Sequence, residues 1–113
     1  MVFWGCLIAW PQGADALDVT LAWNPSLSAV DGYRVYYKAD HQGGPPYDGT
    51  GALEGDSPIT LGKTASFTLR GLQEGQSYYF AVTAYVGSSE SSYSNEVSLS
   101  ASAPIIQSIK IIR

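Results

Sequence analysis

The sequence predicts an all-β chain folded as an antiparallel β-sandwich of about seven short strands. Three observations carry that expectation. From residue 17 onward apolar residues recur with period two, the period of a half-buried strand, and not with the 3.6 of a helix. Turn signals break the pattern about every eight to twelve residues. The composition also suits strands and turns, with 12 Gly, 6 Pro, 8 Tyr and only 14% charged residues. Bundles and coiled coils need helices rich in Glu, Lys and Leu, so both are excluded. At 113 residues and 45% hydrophobic content, the chain builds one core and one domain.

The elements follow in order. Leu17, Val19, Leu21 and Trp23 alternate with Asp18, Thr20 and Ala22, and Asn24-Pro25-Ser26 ends that strand because Pro has no N–H for a ladder. Past Asp31-Gly32, a second strand alternates Tyr33, Val35 and Tyr37 with Arg34, Tyr36 and Lys38. Residues 39–58 hold many Gly and Pro and read as a long connection. Ile59-Thr60-Leu61 is a short strand, and Phe67 and Leu69 mark the next one. A corner at 71–75 leads to the strongest strand. Tyr78, Phe80, Val82 and Ala84 share one of its faces, and Tyr79, Ala81, Thr83 and Tyr85 the other. A polar loop at 87–94 precedes a last strand carrying Asn95, Val97 and Leu99.

DVTLAWNPS, GYRVYYK, FTLRGLQEGQSYYFAVTAY and SNEVSLS together resemble a fibronectin type III domain, an immunoglobulin-like sandwich, over about residues 17–101. Trp23 is similar to the family's core Trp. Tyr33 to Tyr37 match its third strand, and Leu72, Gly75 and Tyr78 match its Leu-x-x-Gly-x-x-Tyr corner, where the Tyr hydroxyl bonds back to the turn. The physics agrees. Trp23 is large enough to bridge two sheets about 10 Å apart, and Gly75 suits a corner needing positive φ. The resemblance implies a non-catalytic, exported module without cofactor that binds, adheres to or spaces other molecules at a cell surface. A carbohydrate-binding accessory module of a secreted glycan-degrading system is the alternative. The Arg-Gly-Asp of the integrin-binding members is absent from GSSESSYS, so integrin recognition does not carry over.

Function classes are excluded on chemistry. Six basic against ten acidic residues, with no basic cluster, argue against nucleic acid. One Cys (Cys6) and one His (His41) do not make a structural zinc site or a preorganised catalytic triad. Asp40, Asp48, Glu54 and Asp56 lack the Asp-x-Asp-x-Asp-Gly ligand run of a calcium loop, and a solvated acidic loop is the simpler reading. Tyr36, Tyr79 and Tyr85 form the candidate binding face, because their strands are neighbours in this fold. Flat aromatics there suit a sugar or a protein, and ordinary cross-strand pairing is the simpler account of them. Tyr47, Glu90 and Tyr93 are candidate loop contacts, with Tyr47 either a recognition tip or a pin for its loop. The partner is an unidentified protein or polysaccharide.

The two ends carry separate expectations. The apolar run at 2–10, broken by Pro11-Gln12-Gly13 and followed by Ala14-Asp15-Ala16, reads as a truncated signal peptide over 1–16 that lacks a basic n-region. The run is too short for a stable membrane span. Folding of 1–16 as a first strand is the other reading, and lipidation at Cys6 a weaker one. Secretion to the periplasm, medium or cell surface follows from the signal. The tail 102–113, rich in Ile, has no family counterpart. It is expected to pair with the vacant edge beside the Trp23 strand, within one chain or across a homodimer.

Overall fold

A computed structural model describes residues 6–12, 16–26, 29–73, 75–99 and 107–110. Every regular element among them is a strand, and the nine strands form two packed antiparallel sheets. β1 (Cys6–Gln12), β2 (Ala16–Ala22), β5 (Ser66–Gln73) and β9 (Gln107–Lys110) make one sheet in the order β5-β2-β1-β9. The second sheet runs β4 (Ile59–Leu61), β3 (Gly32–Ala39), β6 (Tyr78–Val86), β7 (Ser89–Glu90), with β8 (Val97–Leu99) also on β6.

The core lies where the period-two pattern puts it. Val19, Leu21, Leu69 and Leu72 from the first sheet meet Val35, Tyr37, Phe80, Val82, Val97 and Leu99 from the second, all of them buried. Each such aliphatic or Phe side chain contributes about 1.5–3 kcal/mol on leaving water. Trp23 and Tyr33 close one end with ring centroids 5.6 Å apart. At the other end the Gln73 N–H donates to the Tyr78 hydroxyl at 2.9 Å, and Gly75 takes φ +83° in the corner between them. Tyr78→Phe would leave that N–H without its acceptor, and a loss of about 1–2 kcal/mol in urea unfolding is expected.

Residues 6–12 occupy the first-strand position, with Ala9 opposite Leu21 and Pro11 opposite Val19. Cleavage after Ala16 would remove this strand and strip β2 of one of its two partners. The tail strand departs from the expected place. β9 pairs with β1 (Leu7 opposite Ile109) and not with β2, and it does so within one chain, because β1 already fills the edge beside β2. Of the remaining tail, 102–106 and 111–113 lie outside the described residues.

The Gly- and Pro-rich connection at 40–58 has no regular element, yet it folds back over the open side of the sandwich. The Gly49 N–H donates to the Tyr37 carbonyl at 2.8 Å and the Leu53 N–H to the Arg70 carbonyl at 2.8 Å. The loop thus touches a strand of each sheet. Glu54 completes the link by accepting from the Arg70 main-chain N–H at 2.8 Å and from its Nε at 2.6 Å.

Candidate functional site

The candidate site is the outer face of the β3–β6 sheet. Alternation along β3 sends Arg34, Tyr36 and Lys38 outward, and their partners across the ladder are Thr83, Ala81 and Tyr79. Tyr85 stands opposite Gly32 on the same face, where a side chain at 32 would collide with the Leu61 carbonyl. Tyr36, Tyr79 and Tyr85 therefore share one face, as the pattern predicts, but they are not a continuous platform. Arg34 stacks on Tyr85 with its guanidinium carbon 4.5 Å from the ring centre. Lys38 lies buried with its Nζ 5.8 Å from the centre of Tyr79 and 5.7 Å from that of Tyr47.

Tyr36 instead belongs to a trio with the two loop tyrosines. Tyr93 meets Tyr36 at 5.0 Å and 89°, and meets Tyr47 at 5.0 Å and 73°. These are edge-to-face contacts, favoured by the ring quadrupole. They bring together two loops that are remote in sequence. Tyr47 is 6% exposed, so it is a pin and not a recognition tip. Its hydroxyl donates to Glu96 at 2.6 Å, and the same carboxylate accepts from the Gly44 N–H at 2.6 Å.

Glu90, expected as a loop contact, is instead the hub of the face. β7 returns along β6 and sets Glu90 opposite Tyr85. Its carboxylate accepts from Arg34 Nη1 at 3.1 Å, from Thr83 Oγ1 at 2.7 Å and from the Tyr36 hydroxyl. Burial alone would push this carboxyl up, but the bonds from Tyr36 and Thr83 and the Arg34 charge outweigh burial and hold it below the usual range. Glu54 behaves likewise, with burial opposed by the Arg70 main-chain and side-chain donors. In return, burial and the Glu90 bond push the Tyr36 hydroxyl up, and burial and Glu96 do the same to Tyr47.

The sign for stability follows. Both carboxyls titrate lower in the folded chain than in the unfolded one, so their contribution is complete above about pH 4.3 and is lost as pH falls through the lower folded values. A flat melting temperature from pH 7 to 5.5 and a decline below about pH 4.3 are expected. Glu90→Gln should shallow that decline and cost about 1 kcal/mol at pH 7. Thermal melts of both chains across the range check it.

Sequence reasoning missed Arg34, Lys38, Thr83 and Glu96 as parts of this face. Alternation already placed Arg34, Lys38 and Thr83 there, but no sequence signal paired Glu90 or Glu96 with tyrosines about fifty residues away. Among the described residues, no three His, Cys, Asp or Glu side chains gather as metal ligands. The loop carboxylates Asp40 and Glu54 face Lys38 and Arg70. No helix among the described residues is long and apolar enough to cross a membrane.

The comparisons with known proteins agree with this geometry. The family model of the fibronectin type III domain matches residues 10–100. A Kelch domain-containing protein of Saccharolobus solfataricus is 36% identical over 88 residues, which are 77% of this chain and 10% of that protein. The chain thus spans about a tenth of the length of that curated relative. An Fn3-like protein from Clostridium thermocellum superposes with TM-score 0.56 at 25% identity, covering 81% of this chain and 91% of that one. The FN1–FN3 domains of chicken CNTN1 give TM-score 0.60 at 15% identity, covering 80% and 28%. Trp23, the β3 strand, the corner at Tyr78 and the match across both sheets lead to one conclusion: the chain belongs to the fibronectin type III domain family.

Proposed function

We propose that this fibronectin type III domain is a non-catalytic module that binds or spaces proteins, exported to the cell surface or medium. The observation that carries the reading is how the outer tyrosine face is built. Its trio of rings meets edge to face, and the hydroxyls of Tyr36 and Tyr47 are held by Glu90 and Glu96. A sugar platform needs exposed ring faces with polar groups left over for sugar hydroxyls, and here the Tyr47 ring is buried and the Tyr36 and Tyr47 hydroxyls are already bonded inside the domain. A rigid, internally satisfied aromatic surface suits contact with another protein, or plain spacing. The match to a tenth of a longer relative supports a modular role. The apolar run at 2–10 supports export.

Carbohydrate binding is the second reading, favoured by Tyr79 and Tyr85, which remain half-exposed on that face. Amide-resolved NMR of the full chain, titrated with soluble xylan, mannan, laminarin and dextran, separates the two. No localised shifts at Tyr36, Tyr79 and Tyr85 are expected. Saturable shifts centred on those three would overturn the protein-binding reading in favour of an accessory glycan-binding module.

A further inference from the structure

β5 is an edge strand of the first sheet, and the long connection crosses the sandwich beside it. The Trp23 N–H donates to the Ala65 carbonyl, and the β2–β5 register then turns the main-chain groups of Ala65, Phe67 and Leu69 toward β2. Those of Ser66, Thr68 and Arg70 point out of the sheet. An outward edge on a strand of eight residues is a template for another chain.

Both ends of that edge are taken. At Arg70 the carbonyl accepts the Leu53 N–H at 2.8 Å, and the N–H donates to the Glu54 carboxylate at 2.8 Å. The segment that does this is itself held in place. The Gly55 N–H closes a turn on the Ala52 carbonyl at 3.1 Å, and Ala52 is buried with its N–H on the Tyr37 hydroxyl. Burial does not account for the tip of the turn, because Leu53 is 73% exposed. What the tip gains is its bond to the edge. At Ser66 the Thr64 hydroxyl donates to the carbonyl at 3.1 Å and accepts the N–H at 3.4 Å. Thr68, between them, has no described group on its outward N–H or carbonyl.

We propose that the turn at 52–55 is an edge guard, an inhibitory contact that keeps two copies of this chain from joining through β5. The edge is self-complementary. Antiparallel pairing about Thr68 sets Thr68 opposite Thr68 of a second copy, and Ser66 opposite Arg70 in both directions. All three outward residues of each copy then pair, and no like charges face each other across the ladder. With Ser66 and Arg70 taken, only the Thr68 pair is left, too short a ladder to hold two domains together. β4, an edge of the second sheet, has three residues and follows Pro58, so it is blunted without such cover. The guard is independent of what the tyrosine face binds.

The test compares the full chain with its Leu53→Pro/Glu54→Ala variant by sedimentation velocity and amide exchange. Pro suits the second position of a turn, so Leu53→Pro removes the edge N–H and keeps the turn, while Glu54→Ala removes the acceptor. At about 0.5 mM chain the variant's mean mass should exceed the parent's by about 1.4-fold or more, as a dimer with Kd about 1 mM or tighter requires. Its Thr68 and Arg70 amides should exchange more slowly as concentration rises. In the parent, Arg70 should exchange at least about tenfold more slowly than Thr68. A folded variant that keeps the parent's mass would overturn the proposal. So would a dimer whose Thr68 amide stays unprotected, because its contact lies elsewhere. If the double variant does not fold, Glu54→Ala alone is read the same way. Equal exchange of Arg70 and Thr68 in the parent overturns the guard whatever the variants do.

Discussion

Tyr37→Ala is expected to remove about 3–5 kcal/mol, a large part of the stability of a domain this size. Two roles meet in this residue. Its ring is fully buried in the core. Its hydroxyl donates to the Gly55 carbonyl at 2.7 Å and accepts the Ala52 N–H at 3.2 Å, while its main chain accepts from Gly49 and donates to Ser57 Oγ. The long connection is therefore tied to one side chain. Close packing leaves no slack, since a Cβ on Gly49 would come within 2.7 Å of the Tyr37 ring. Tyr37→Phe separates the two roles. It keeps the ring and leaves two loop groups without partners, for about 1–3 kcal/mol. Urea unfolding measures both variants. Amide exchange at Ala52 and Leu53 should accelerate in Tyr37→Phe well beyond the global loss of stability, and unchanged exchange would mean that the hydroxyl does not hold the loop.

Trp23→Ala is the second large effect, again about 3–5 kcal/mol, because the indole fills the end of the core against Tyr33. Trp23→Phe should behave very differently. It loses some buried area but also deletes an N–H that is buried without an acceptor, so the two effects oppose each other and the net change is within about 1 kcal/mol. A Phe variant as damaged as the Ala variant would show that the indole N–H is satisfied in solution.

How much was legible in the sequence depended on the range of the interaction. Alternation is local, so the faces of β2, β3 and β6 could be read residue by residue, and Val19, Leu21, Val35, Phe80 and Val82 lie buried as the pattern requires. The corner from Leu72 to Tyr78 was equally readable, because its hydrogen bond spans five residues. Tyr36, Tyr79 and Tyr85 fell on one face for the same reason. Their partners did not follow. Tyr36 and Glu90 are 54 residues apart, and Tyr47 and Glu96 are 49 apart. Such pairs form only when both sheets and both loops are in place, and no period or spacing encodes them. The tail was readable as strand-prone, but its partner was set by which edge remained open after β1 had paired with β2.

Alternation and short motifs are enough for the all-β class, the inward residues of each long strand, the Trp23 and Tyr78 ends of the core, and the family, since each rests on periods of two or on motifs within a few residues. The packing of loops against distant strands is what makes Tyr47 a buried pin and Glu90 a hub with three donors. These depend on loops whose conformation is set by contacts with distant strands. The energy that fixes a loop lies in those contacts, not in the propensities of its own residues.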